Sequence, residues 1–373
     1  MASSTGLRKQ YKYIKHLAEQ EASNVYVIED TERKKLLALK RVIGEEHMPE
    51  AYNEVDILQN IKPYCDDHFI CFDHMVKNTS SSSSGERLSP LDIYMEYLPN
   101  YTEMFDYIIK TEYGVEEFPM IYEMARNCIN AVQKLHDENV ILKDFKPENV
   151  LIDPATGKEK IIDFGYSCRG EYCNLAARVG TPNYMAPELT NMDVGEGDKI
   201  ETSKMRTQDY WTSRWENQNN NVTKRKQIIL KELKRADIWS LGATLFTLLY
   251  QNSFITSPIF YAVLSSSTKR YWKNANLPTH FKFWHLWTEE LANLSAKLEY
   301  IPVKKMMMQE KKIGPVWAVV YPKQFNALVM AIESMLIFEP ENRQLIPLKP
   351  FPTYEKIPAD YSKMKQTIGH IIL

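Results

Sequence analysis

The sequence carries almost no charge imbalance: 46 Lys and Arg against 48 Asp and Glu leave a formal net charge of −2. Near-neutrality excludes a general electrostatic pull towards nucleic acid or an anionic membrane. The five cysteines, Cys65, Cys71, Cys128, Cys168 and Cys173, include no C-x-x-C pair, which removes the common metal and redox motifs. Their odd number argues against a disulfide framework, so Cys168 and Cys173 read as ordinary thiols in a reducing compartment. No apolar run is long enough to span a bilayer; the longest, Ile238 to Tyr250, is short and interrupted. Met1 to Gln10 is polar and basic, without the apolar segment of a signal peptide. There is no internal repeat. These absences predict a soluble, cytoplasmic protein with no membrane and no nucleic-acid partner.

What is present is ordinary globular material, 44% apolar and 25% charged over 373 residues. At roughly 150 residues per unit that length allows two or three units. Short apolar or alternating runs at Val25–Ile28, Leu36–Lys40 and Ile93–Tyr97, bounded by charged turns, predict an antiparallel sheet. One helix interrupts them: Ala51, Val55, Leu58 and Ile61 share a face of Pro49 to Ile61. Asn78-Thr79 followed by five serines reads as a surface loop. From Phe118 the pattern turns helical, with Ile121, Ala125, Ile129, Val132 and Leu135 in one stripe. Ala236–Tyr250 reads as a buried helix and Ala327–Ile337 as another. Residues 190–235 are polar and Asn-rich and read as an inserted loop, with or without a short helix of its own, that includes the solvated cluster Lys224-Arg225-Lys226. Trp272, Trp284 and Trp287 read as core packing.

The segment Val140–Ile152 carries the chemistry. It places a carboxylate (Asp144), a cation two residues on (Lys146) and an amide three beyond (Asn149) in what reads as one tight loop. Phosphoryl transfer needs each: the carboxylate orients the attacking hydroxyl, the cation neutralises charge, and the amide oxygen ligates a metal. Asp163-Phe164-Gly165 follows apolar Ile161-Ile162, an acid at a strand end suited to Mg²⁺.

These motifs resemble the catalytic loop and metal-binding triplet of the eukaryotic-type protein kinase family. Other segments are similar in the same order: Ala38-Leu39-Lys40 with Glu54, the hinge-like Met95–Leu98, Gly180–Glu188, Asp237–Gly242, and Arg343 as partner of Glu188. The resemblance covers about residues 11–346 and implies an α+β bilobal fold. A β-rich N-lobe with one helix would span 11–98, and a larger helical C-lobe 99–346, inserted at about 190–235. Residues 1–10 and 347–373 would be extensions.

It implies ATP and Mg²⁺ as cofactors and a protein substrate. Asp144, Lys146 and Asn149 would be catalytic, and Asn149 and Asp163 would hold the metal. Leu17, Val25, Ala38, Lys40, Glu54, Glu96, Leu98 and Leu151 would bind the nucleotide together with Asp163. Glu103 would lie near the ribose or the substrate. Lys146 and Gly180-Thr181-Pro182 are like the serine/threonine branch, and Ala186-Pro187-Glu188 sets aside a small-molecule kinase. The serine run and Asn-rich insert resemble divergent kinases of large DNA viruses or protists.

Four departures qualify the resemblance. The glycines of the phosphate-covering loop are replaced by Ala18, Gln20 and Ser23, which predicts a stiffer lid and leaves a pseudokinase, a binding module, as the alternative. Leu142-Lys143 stands where the family has His-Arg, so the planar fork that grips a phosphorylated loop is absent. Between Phe164 and Gly180 the only hydroxyls are Tyr166, Ser167 and Tyr172, which favours constitutive activity or control by a partner. The expanded stretches after Glu188 and Asp237 are either docking surfaces, for a regulatory partner on 190–235, or tolerated insertions.

Overall fold

A computed structural model describes residues 10–19, 22–77, 80–81, 87–88, 91–114, 116–173, 180–181, 183–186, 189, 222–251, 317, 320–337 and 340–352. The first part of the chain is an antiparallel sheet of β1 (Tyr11–Glu19), β2 (Ser23–Asp30), β3 (Lys35–Val42), β4 (Phe72–Lys77) and β7 (Leu91–Glu96), in the order β1-β2-β3-β7-β4. Between β4 and β7 the two-residue strands β5 (Ser80–Ser81) and β6 (Arg87–Leu88) pair within the serine-rich stretch. Alternation along β3 sorts its side chains. Leu37 and Leu39 join Tyr11, Ile28 and Tyr94 in one small cluster. Ala38 and Lys40 share the opposite face with Val27, Val25 and Met95, their cross-strand partners.

Helix α1 (Met48–Asn60) covers that second face, with Pro49 in its first turn and Ala51, Val55, Leu58 and the following Ile61 buried. The short helix α2 (Cys65–His68) leads back to β4. The strand β8 (Thr102–Glu103) and helix α3 (Met104–Lys110) begin the second part. Helix α4 (Phe118–Asp137) buries the whole predicted stripe from Ile121 to Leu135. Then β9 (Val140–Ile141), β10 (Val150–Ile152), β11 (Glu159–Ile161) and β12 (Cys168–Arg169) follow; β10 pairs with β8 and β11, and β12 with β9. The long helix α5 (Val222–Tyr250) and α6 (Pro322–Met335) complete the described elements. The fold is thus α+β, with the expected antiparallel sheet ahead of the helical part.

One hydrophobic core runs from Val55 and Leu58 of α1 through Phe164 to Trp239, Phe246 and Met335. Gly242 makes the α5–α6 contact possible: a Cβ there would lie 2.7 Å from Met335 Cβ, so only a bare backbone admits the neighbour. One sequence reading is corrected. Residues 222–235, read as the end of an inserted loop with at most a short helix of its own, are the first half of the long helix α5, and Lys224 and Lys226 lie on that helix, Lys226 paired with Glu171. Buried Leu233 and half-buried Ile229 and Leu230 explain the extension, since they pack on Ile141, Cys168 and Cys173. Residues 190–221, the three tryptophans at 272, 284 and 287, and Glu188 lie outside the described residues.

Candidate active site

The catalytic-loop segment leaves β9 at Leu142 and turns through Lys143, which adopts φ +65°. A left-handed lysine is strained, and Asp237 of α5 holds it. Asp237 is 1% exposed and accepts the Leu142 amide at 2.7 Å and the Lys143 amide at 2.9 Å. His136 of α4 stands 3.1 Å from the same carboxylate. Burial depresses the Lys143 ammonium below its usual range, with Asp237 opposing. Leu142 is buried in the core that contains Phe164.

This turn delivers Asp144. Its Oδ1 accepts the Thr181 amide at 2.7 Å, and its Oδ2 lies 2.9 Å from Lys146 Nζ. Lys146 Nζ also donates to Thr181 Oγ1 at 2.8 Å, and Asn149 Nδ2 donates to the Asp144 carbonyl at 2.9 Å. All three sequence-predicted catalytic side chains therefore meet, with Thr181 as a fourth member. With Nδ2 of Asn149 tied down, its Oδ1 is the atom left for a metal.

At the sheet, Lys40 Nζ lies 2.7 Å from Glu54 Oε2 of α1 and 3.2 Å from Asp163 Oδ1. Burial opposes charge on Lys40, but attraction to Glu54 and then Asp163 outweighs it and raises its pKa. Burial likewise opposes charge on Asp163, and Lys40 overcomes it, holding the carboxyl below its usual range. Burial pushes Glu54 up, with Lys40 opposing. We read the three as a charged cluster, because the 2.7 Å contact is of charge-assisted length. The Asp163 side chain remains 37% exposed. One carboxylate and one amide oxygen are the hard donors Mg²⁺ accepts; it keeps waters and takes substrate phosphates for its remaining positions. The residues present thus fit that ion.

The remaining nucleotide candidates spread around this face. Val25 pairs with Lys40, and Ala38 with Val27 and Met95. Leu17 is 44% exposed on β1 at the second of two register shifts. The β1–β2 hairpin forms without glycine, its tip at 20–21 outside the described residues. Leu98 packs on the core, and Leu151 pairs with Glu103. Burial raises the Glu103 carboxyl, with Asp106 and Glu148 adding to the effect. Glu96 donates its amide to the Cys71 carbonyl at 2.9 Å. Its side chain takes the Cys71 amide at 2.9 Å and Lys160 Nζ at 3.2 Å. Lys160 is itself buried and holds the carbonyls of Cys65 and Phe69. Nothing in the sequence marked Lys160, Asn53 or His136, because their partners are distant along the chain.

The cysteines correct the thiol reading. Cys65–Cys71 and Cys168–Cys173 are disulfides, and Cys128 alone remains a buried thiol. The odd count misled because the pairs close within six and five residues, a local geometry that needs no framework. The expectation of a reducing compartment, which rested on free thiols, loses that ground. Of the three hydroxyls after Phe164, Ser167 is buried with its Oγ directed at the Leu142 carbonyl. Arg343 is 5% exposed, donates to the carbonyls of Ile337 and Arg235, and lies over the Trp239 ring. No helix among the described residues is long and apolar enough to cross a membrane.

Comparison with known proteins agrees with this geometry. The sequence profile described as "Protein kinase domain" matches residues 11–213, more than half of the 373 residues. "Developmentally-regulated protein kinase 1" of Dictyostelium discoideum is 30% identical over 171 residues, 45% of this chain and 21% of that protein. "Probable cAMP-dependent protein kinase catalytic subunit" of Encephalitozoon cuniculi (strain GB-M1) is 30% identical over 178 residues, 48% of this chain and 47% of that one. "Myosin light chain kinase 3" of Danio rerio is 37% identical over 113 residues, 29% of this chain and 15% of the relative. The matched stretches thus span less than half the length of each of these relatives.

Proposed function

The chain belongs to the protein kinase domain family, and from that premise we propose that it moves the γ-phosphate of Mg-ATP to Ser or Thr hydroxyls of proteins. The observation that carries the reading is that Lys146, Asn149 and Thr181 each lie within hydrogen-bond distance of Asp144, with Lys146 also bonded to Thr181. Asp144 is the group placed to orient an incoming hydroxyl and take its proton as the oxygen–phosphorus bond forms and the bond to the β-phosphate oxygen breaks. Lys146 puts positive charge beside the moving phosphoryl group. Lys40, braced by Glu54, holds the α- and β-phosphates, and Asn149 with Asp163 would hold Mg²⁺, which when bound neutralises phosphate charge.

Support for Ser/Thr over Tyr comes from Lys146 and its hydrogen bond to Thr181, together with similarity to proteins named as a cAMP-dependent protein kinase and a myosin light chain kinase. Against the pseudokinase reading, which rests on the glycine-free hairpin, stands the presence of Lys40, Asp144, Asn149 and Asp163 together in one chain. The test is phosphate transfer from radiolabelled Mg-ATP to casein. We expect Asp144→Asn to lower kcat by roughly 10²–10⁴, the size of a general-base contribution. Tight Mg-ATP binding with no transfer by the wild type would overturn the catalytic reading.

A further inference from the structure

Asp163 turns the chain in the left-handed region, φ +62°, a conformation that Asp, like Asn and Gly, adopts more readily than other residues. The residues immediately after it are gripped by one side chain of α1. Asn53 Nδ2 donates to the Ser167 carbonyl at 2.7 Å and the Gly165 carbonyl at 2.9 Å, with the Phe164 carbonyl a longer contact at 3.4 Å. The two short bonds occupy both hydrogens of the amide. Contact between the elements is close: a Cβ on Gly165 would stand 3.7 Å from Glu50 Cβ, one turn earlier on α1. The next residue along the helix is Glu54, which holds Lys40 at 2.7 Å, and Lys40 in turn reaches Asp163 at 3.2 Å.

We infer that Asn53 is a positioning residue that presents Asp163 for metal binding by holding the backbone carbonyls of residues 164–167. This rests on the kinase reading above. Adjacent residues of α1 thereby set both ends of the phosphate site, Glu54 through the Lys40 ammonium and Asn53 through the Asp163 backbone. A shift of the helix moves the two together. The arrangement needs no phosphorylated loop. That suits a chain in which Lys143 lacks a planar fork and Ser167 is buried.

The test compares wild type with Asn53→Asp, of the same size but without N–H donors, and Asn53→Gln, which keeps the donors on a longer arm. Initial rates are measured with Mg²⁺ titrated at saturating ATP, and backbone hydrogen exchange is followed in parallel. For Asn53→Asp we expect kcat to fall roughly 10- to 100-fold, as misplacing a reacting group by about 1 Å does. The Mg²⁺ concentration for half-maximal rate should rise several-fold, and the KM for the protein substrate should stay within twofold. Asn53→Gln should recover part of the loss. Exchange at residues 164–168 should quicken while α5 stays protected. A wild-type rate and Mg²⁺ dependence in Asn53→Asp, or exchange that quickens uniformly along the chain, would overturn the inference. If the wild type itself transfers no phosphate, the kinase reading fails separately, and the exchange measurement still decides whether Asn53 holds the loop.

Discussion

Gly180 precedes the residue whose amide meets Asp144, and it adopts φ +127°, a region open to glycine and strained for any other residue. An ideal Cβ added there would lie 2.8 Å from the Lys143 carbonyl oxygen, 3.3 Å from Met185 Cε and 3.8 Å from Asp144 Oδ1. The nearest obstacle is backbone, so Gly180→Ala cannot be accommodated by a side-chain rotation. The backbone strain is about 1–3 kcal/mol. Displacing Lys143 would also disturb the bond from its amide to Asp237 at 2.9 Å. Relief of the clash by moving the Gly180-Thr181 peptide stretches the 2.7 Å bond from Thr181 to Asp144 and the 2.8 Å bond from Lys146 to Thr181. A misplacement of about 1 Å at a reacting group costs about 10²-fold in rate. We therefore expect kcat of Gly180→Ala to fall roughly 30- to 100-fold, with KM for ATP little changed because Lys40 and Glu54 are untouched. The melting temperature should drop by about 1–4 °C, from the same strain spread over a chain of this size. Steady-state phosphorylation kinetics and a thermal melt decide it. An alanine variant with wild-type kcat would refute the reasoning, since it would mean that Thr181 does not hold Asp144.

Three further perturbations test other parts of the structure. Intact-mass analysis after alkylation without reductant should label no thiol in the folded protein except buried Cys128 on unfolding; Cys168→Ser should cost about 2 kcal/mol in chemical denaturation, and labelling of all the cysteines without reductant would exclude both bridges. Lys160→Met removes the ammonium shared by Glu96 and the carbonyls of Cys65 and Phe69; taking that donor from the two buried carbonyls, while Glu96 keeps only the Cys71 amide, should cost roughly 2–3 kcal/mol and raise the KM for ATP more than it lowers kcat, a pattern whose reversal would separate the hinge-like strand from nucleotide binding. At Asp73 burial opposes the charge, but Arg33 and then His74 outweigh it and hold the carboxyl at about 2. With the folded value below the ordinary 3.8, the stabilisation is fully present above that pH and is lost as pH falls towards 2; Asp73→Asn should cost about 1 kcal/mol at neutral pH, screening included, and a variant whose stability runs parallel to wild type from pH 4 to 2 would contradict it.

Local pattern and distant packing divide the molecule between them. Alternation in Leu36–Lys40 and the single stripe from Ile121 to Leu135 were enough to place β3 and α4, because one buried face leaves a period in the chain. The chemistry-bearing residues Lys40, Glu54, Asp144, Lys146, Asn149 and Asp163 were likewise readable, each lying in a short motif whose order the family shares. Where burial runs over an irregular mixture the pattern was weak: residues 222–235 read as loop or a short local helix, and only the packing of Leu233 against Ile141 and Cys173 shows them to be the start of α5. The sequence by itself determined the fold class and the residues proposed to move a phosphate. Only the tertiary structure decided what holds them, for Asn53 meets Ser167 across 114 positions, Asp237 meets Leu142 across 95, and Lys160 meets Cys65 across 95. A hydrogen bond between residues so far apart leaves no period in the chain, and it exists only once the core has brought both ends together.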